Sequence, residues 1–492
     1  MGRKSHSKHP NKKNPAKDNR NNIIRKELAI LVDKLLKLTS VFQAATHTSK
    51  SWDHHLEINA ILKEIVNIET PFNSKAKSGP RQKNIDVYLK WLKENGAQFE
   101  GVEIGEYEDY ELGLKAVNNF KEGSLLLTVP TNVMMTEQNA RESNLAAFIN
   151  VDPLLQNMPN ITLALFLLLE KNKDDSVWKP YIDVLPDKYS TILYFTTDEL
   201  LELKPSPVFE SALKLYRSIA RQYAYFYNKM HTLDLPVLEN LKDIFTFESY
   251  RWAVSTVMTR QNNIQLGKSE ITAFIPLWDM CNHEHGKITT DFNNELNRGE
   301  CYALRDFKAG EQIFIFYGAR PNADLFLHNG FVYPNNQHDS LSLPLGVSSS
   351  DPLRETKVSL LTMLGLSAVT HYSIYRGDCP ISPELLAFIR IFNMNQDELT
   401  KWSSQGLPGD LVSSDKSSSA AVGADIDRRA YTYLLTRCKL IKASYKKMEK
   451  EPVTLHRNNI KLLKECEVQI LDRAIKYLEG TLPTLTVCDR PT

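Results

Sequence analysis

Two four-residue stretches far apart in the chain are near copies of one another: Phe120-Lys121-Glu122-Gly123 and Phe307-Lys308-Ala309-Gly310. Each reads as a tight turn, with glycine free to take positive φ, feeding an apolar strand of similar length. Between them, from about residue 139 to about residue 255, apolar residues recur with helical spacing instead. Two separate β domains of this size would each be too small to bury a core. The simplest fold is one β domain interrupted by a helical insertion.

The flanks are helical. From Ile23 to about residue 100, residues Ile24, Leu28, Leu31, Leu35 and Leu36 fall near one helix face. Strands are expected from Gly101 to Pro130 and again between Ile271 and Tyr317. The β domain should therefore span 101–332, and the periodicity of 333–492 predicts an all-α domain, giving an α+β fold. Residues 403–425, rich in Ser, Gly and Ala, predict a mobile loop within that last domain. Residues 1–22 carry seven Lys or Arg against one Asp in the first twenty positions, with no apolar run behind them. A disordered basic tail is expected, not a secretory signal.

At 492 residues the chain is too long for one ordinary core, and its 42% hydrophobic and 24% charged content is that of a soluble globular protein. A net charge of +1 gives no reason to expect nucleic acid as partner. No stretch predicts a membrane span; the longest apolar run, Ile161 to Leu169, reads as a buried helix. Six scattered cysteines without a Cys-x-x-Cys signal neither a metal site nor a disulfide framework, so a reducing compartment and no metal are expected.

Chemistry concentrates in Trp278-Asp279-Met280-Cys281-Asn282-His283 and Phe316-Tyr317-Gly318, about one β-hairpin apart. An Asn-His pair and a tyrosine hydroxyl that converge on folding can hold a flat, charged, nucleotide-like cofactor beside a reacting nitrogen. Taken with Met258-Thr259-Arg260-Gln261-Asn262 upstream and His328-Asn329-Gly330-Phe331 downstream, these segments resemble a SET domain. The segment after it resembles the helical substrate-binding domain of the Rubisco large-subunit methyltransferase family. Ala220 to Tyr227, Tyr250 to Ser255 and Ile275 to His283 bring the likeness nearest to the branch that methylates a histidine of actin.

That resemblance implies transfer of a methyl group from S-adenosyl-L-methionine to actin, by a monomer in the cytoplasm, with the basic tail leaving a nuclear pool open. It implies that Tyr317 and Asn262 are catalytic, Tyr317 orienting the acceptor and Asn262 taking the N–H of the target imidazole without adding charge. Arg81 and Arg260 are expected at the cofactor's carboxylate. Asp279, Met280, Cys281, Asn282 and His283 are expected along the cofactor, partly through main-chain groups, with His283 packing and hydrogen bonding instead of moving protons. Trp278 and Arg320 join Asn262 as expected substrate contacts. On the residues alone, Asn262 reads first as a helix cap, while core for Trp278 and a surface ion pair for Arg320 are the competing readings.

Two departures stand out. Where the family has a Gly-x-Gly turn against the cofactor, this chain has Tyr110-Glu111-Leu112-Gly113, and Asn329 stands where near relatives carry serine. All four of Tyr110, Glu111, Leu112 and Asn329 are still expected at the cofactor. A lysine methyltransferase of the same architecture and a non-catalytic actin or chromatin adaptor are the competing functions.

Overall fold

The computed structural model describes residues 15–41, 48–72, 80–404, 408–413, 422–446 and 453–485. The two echoed turns meet in it. Phe120 and Phe307 exchange backbone hydrogen bonds of 2.8 and 2.9 Å. Gly123 and Gly310 take φ of +77° and +93°, a region that costs an L-residue about 1–2 kcal/mol. The two β regions therefore belong to one body.

That body holds three small sheets. In the first, β1 (Val102–Tyr107) pairs antiparallel with β2 (Glu111–Ala116), and β10 (Gln312–Ile315) lies antiparallel on the other side of β2. The two-residue β7 (Asn282–His283) then lies parallel to β10, setting Asn282 opposite Phe314 and His283 opposite Ile315. The second sheet has the order β3 (Leu125–Pro130), β9 (Arg298–Tyr302), β8 (Thr290–Asn293), and the third β4 (Met135–Thr136), β6 (Ser269–Phe274), β5 (Gln261–Leu266). Strands were expected to return only at Ile271, so β5 is a correction. Its Gln-Asn-Asn-Ile-Gln-Leu sequence is polar because only Ile264 is buried, and it follows the preceding helix without a loop.

The helical insertion fills the chain between β4 and β5. Pro159–Lys171 is buried at every position from Ile161 to Glu170, which is why its sequence is apolar all round. Val208–Thr232 is amphipathic and buries Phe209, Tyr216, Tyr223, Phe226 and Tyr227. Phe247–Arg260 starts at a capping box in which Thr246 and Ser249 satisfy each other's backbone N–H at 3.1 and 2.9 Å. Outside the insertion, Pro15–Ser40 and Thr48–Glu69 pack against Val208–Thr232. Helix already begins at Pro15, so the expected tail is shorter than 1–22; residues 1–14 lie outside the described residues.

The C-terminal part was expected to be all-α; it is largely helical but contains one antiparallel strand pair, β11 (Ser340–Gly346) with β12 (Val369–Tyr375). The strand pair and the helices Arg354–Met363, Pro383–Phe392, Gln396–Ser404 and Ala424–Ser444 enclose a second core. The expected mobile loop is only partly described. Within it Leu411 is fully buried, and the Arg390 guanidinium, bidentate on Asp427 at 2.6 and 3.0 Å, also donates to the carbonyls of Asp410, Leu411 and Ser413. Residues 405–407 and 414–421 lie outside the described residues. The long helix Leu455–Thr481 joins both cores, with Ile460, Leu463 and Cys466 in the first and Ile470, Leu471, Ala474 and Leu478 in the second.

Candidate active site

The parallel pairing of β7 with β10 delivers Asn282 and His283 beside Tyr317. The Tyr317 hydroxyl donates to the Cys281 carbonyl at 2.6 Å, and its backbone N–H donates to His283 Nδ1 at 3.2 Å. Nδ1 is thereby an acceptor, so His283 is neutral with its proton on Nε2. Burial, reinforced by the charges of His285 and Arg320, pushes the imidazole down to about 4. Its ring lies against Tyr317, Phe331 and Tyr333. The phenol of Tyr317 is pushed well above its ordinary value, first by burial, and stays a donor. Cys281 is buried and its thiol is raised by hydrogen bonding to Cys301 and by burial, which removes it as a nucleophile.

Asn282 is spent partly inside the protein. Its Nδ2 donates to the Leu112 carbonyl at 3.1 Å and to Gln312 Oε1 at 2.8 Å, bridging β2 and β10. The bridge needs Gly113: a Cβ there would come within 2.8 Å of Asn282 Nδ2 and 2.9 Å of Gln312 Oε1. Leu112 itself is core, and its carbonyl is committed to this bridge. Tyr110, 42% exposed, stands edge-on to Phe314 at the rim.

Beneath the loop sits a buried polar cluster. Arg260 Nη1 donates to the Asp279 carbonyl at 2.8 Å and lies 3.3 Å from Asp279 Oδ2, which also accepts from Tyr181 at 2.6 Å. Burial is the largest single influence and works against the Arg260 charge, but the Asp279 carboxylate together with Tyr189, Tyr181 and Tyr317 outweighs it. Arg260 Nε and Asp279 Oδ1 are buried without a hydrogen-bond partner. The Arg81 guanidinium comes close enough that Arg260, after burial, is the main influence disfavouring its charge. Arg81 Nη2 is 3.0 Å from Glu111 Oε2, and Nη1 reaches the Val184 carbonyl at 3.4 Å. Two neighbouring guanidiniums, with Arg260 Nε unspent, form a donor set that fits a carboxylate.

Asn262 lies on β5 and is partly buried. Its Nδ2 donates to the Arg260 carbonyl at 3.2 Å, so it does close the helix end, and the same bond leaves Oδ1 free to accept. Trp278 is 5% exposed, with its ring edge 3.2 Å from where a Cβ of Gly299 would stand; the structure places it in the core. Met280 is likewise buried. Arg320 Nη1 donates to Asn329 Oδ1 at 2.8 Å, so the residue expected at the substrate and the residue expected at the cofactor hold each other. Asn329 ends a π-helical turn, Leu325–Asn329.

Sequence reasoning missed four supports of this site: Tyr88, Tyr181, Gln312 and Leu277. Leu277, at φ +71°, turns the chain into Trp278, and its N–H donates to the Tyr88 hydroxyl at 2.6 Å. Tyr88, Tyr181 and Gln312 lie in no quoted motif, and Leu277, inside the Ile275 to His283 segment, is marked only by its non-glycine positive φ, a property of the folded backbone.

A family model described as "SET domain" matches residues 111–318, and one described as "Rubisco LSMT substrate-binding" matches residues 348–482. The chain is 39% identical over 461 residues to an actin-histidine N-methyltransferase from Gallus gallus, covering 92% of this chain and 77% of that protein. It is 38% identical over 462 residues to the Homo sapiens protein of the same name, again covering 92% and 77%. Among solved structures, the SET domain of LSMT bound to lysine and AdoHcy superposes with a TM-score of 0.67 at 21% identity, covering 82% of this chain and 92% of that one. Rubisco LSMT bound to AdoMet gives 0.63 at 21% identity, covering 82% and 93%. At 38–39% identity over 92% of its length, the chain belongs to the actin-histidine N-methyltransferase family of SET-domain methyltransferases.

Proposed function

We propose that this protein methylates a histidine of actin at the ring nitrogen remote from the side-chain stem, using S-adenosyl-L-methionine, as a cytoplasmic monomer. When bound, the cofactor supplies an electrophilic methyl carbon. The protein's part is alignment, since displacement at that carbon needs little acid-base help. Arg81 and Arg260 take the cofactor's carboxylate, and the main chain of 110–112 and 279–283, with Asn329, lines the rest. Tyr317 holds the Cys281 carbonyl and bounds the passage to the acceptor.

One observation carries the histidine assignment: Asn262 presents an uncommitted amide oxygen while its nitrogen is fixed to Arg260. An imidazole that gives its N–H to that oxygen is locked in one tautomer, and its remote nitrogen keeps a bare lone pair. Histidine, with an ordinary pKa near 6.5, is already mostly neutral at pH 7. Lysine would have to lose a proton at a cost of about 4–5 kcal/mol. A lysine acceptor is the second reading, favoured by the lysine bound in the structural neighbour.

The test is incubation of the full chain with labelled S-adenosyl-L-methionine and purified actin, then mass spectrometry of the modified residue. Label on histidine is the expected result, with at least about a tenfold loss in Asn262→Ala. Label on lysine, unaffected by Asn262→Ala, would overturn the assignment. Absence of label with cofactor bound would favour the adaptor function.

A further inference from the structure

Glu111 is one of three non-glycine residues with positive φ among the described residues, at +58° on the first position of β2. Glycine would take this conformation freely, whereas an L side chain brings Cβ against the backbone. A strained residue at the edge of a site points to a use for its side chain. The Glu111 carboxylate has one partner here, Nη2 of Arg81 at 3.0 Å. The two differ sharply in surroundings, for the Arg81 side chain is 12% exposed and that of Glu111 is 74% exposed. Arg260 has the buried Asp279 as its counter-ion; Arg81 has Glu111, which solvent can draw away.

We propose that Glu111 competes with the cofactor's carboxylate for Arg81, so that the chain holds S-adenosyl-L-methionine and the product S-adenosyl-L-homocysteine less tightly than the same site with glycine at this position. The proposal rests on Arg81 being part of the carboxylate anchor. A carboxylate that engages the guanidinium bidentately uses Nη2, the nitrogen that Glu111 holds, and it meets a like charge on the way. An ion pair as exposed as this one holds weakly, so the effect is one of degree. Glu111 is thus a positioning residue that acts through Arg81 and favours release of the spent cofactor.

The experiment is calorimetric titration of S-adenosyl-L-homocysteine into the full chain and into Glu111→Gln, Glu111→Gly, Arg81→Gln and the double variant Arg81→Gln/Glu111→Gln. Glutamine keeps the size of the side chain and the backbone strain, and so isolates the charge. Both single variants at 111 are expected to bind roughly three- to tenfold tighter, about 0.6–1.4 kcal/mol. Arg81→Gln is expected to bind more weakly, with the double variant no tighter than Arg81→Gln alone. In turnover assays KM for the cofactor should fall in Glu111→Gln without a rise in kcat. Unchanged or weaker binding by Glu111→Gln, with Arg81→Gln still weakened, overturns the competition, and weaker binding would make Glu111 a partner of the cofactor's ammonium instead. Unchanged binding by Arg81→Gln overturns the anchor itself.

Discussion

The Tyr317 hydroxyl and backbone N–H each hold one partner, the Cys281 carbonyl and His283 Nδ1, and small changes there have large expected effects. Tyr317→Phe removes the hydroxyl that holds the Cys281 carbonyl at 2.6 Å and loosens the strand carrying Asn282 and His283. The expected outcome is a loss of about 10- to 100-fold in kcat/KM, as positioning errors near a reacting centre produce, measured in steady-state methylation of actin. The thermal midpoint should move by only a few degrees, since one hydrogen bond is worth about 1 kcal/mol. Gly113→Ala tests the neighbouring bridge. Its Cβ would overlap Asn282 and Gln312, so stability should fall by about 1–3 kcal/mol and cofactor titration should show weaker binding. Tyr317, Asn282 and Arg260 could be picked out because motifs surround them. Gln312, Tyr88 and Tyr181 could not, because what makes them part of the site is where their polar atoms point after folding.

Among elements, the N-terminal helix pair contains an unusual group. His55 on Thr48–Glu69 is 3% exposed, and neither ring nitrogen has a hydrogen-bond partner. It lies between the rings of Trp52 and Tyr216. Burial, with the charge of His54 second, lowers its pKa to about 4. The unfolded chain takes up this proton near pH 6.5 and the folded chain does not, so the stability linked to His55 is complete above about 6.5 and is lost as pH falls toward 4. Urea unfolding at pH 7.5 and pH 5 should differ by about 2 kcal/mol from this group alone. His55→Phe should reduce that difference while leaving stability at pH 7.5 within about 1.5 kcal/mol; an unchanged difference would show that other groups govern the acid side. Val208–Thr232 was legible because a 3.6-residue period persists over many turns, and Pro159–Lys171 because its apolar run is too long for a typical strand. β7 has two residues and β5 one buried residue, too few for a two-residue period to show.

Across the whole molecule, the helix Leu455–Thr481 couples the C-terminal part to the SET core. Ile460, Leu463 and Cys466 lie in the larger core, and Asn459 Nδ2 donates to the Gly330 carbonyl at 2.8 Å. Truncation after residue 332 strips away those side chains, a loss of about 5 kcal/mol at roughly 1.5–3 kcal/mol for each large apolar group, against a typical total of 5–15 kcal/mol. The truncated chain should be far more sensitive to limited proteolysis and should melt well below the full chain. An unshifted melting curve would mean that the two cores are independent. Paired turn motifs, helical periodicity and a few ordered motifs, all local properties, were enough to determine an interrupted β domain, a largely helical C-terminal third and the residue types for methyl transfer. Tertiary structure alone decided that β7 runs parallel to β10, that Asn329 is held by Arg320 and that Glu111 sits on Arg81. No local pattern specifies these pairings, because their identity depends on which backbone and side-chain groups the folded cores bring within hydrogen-bonding reach.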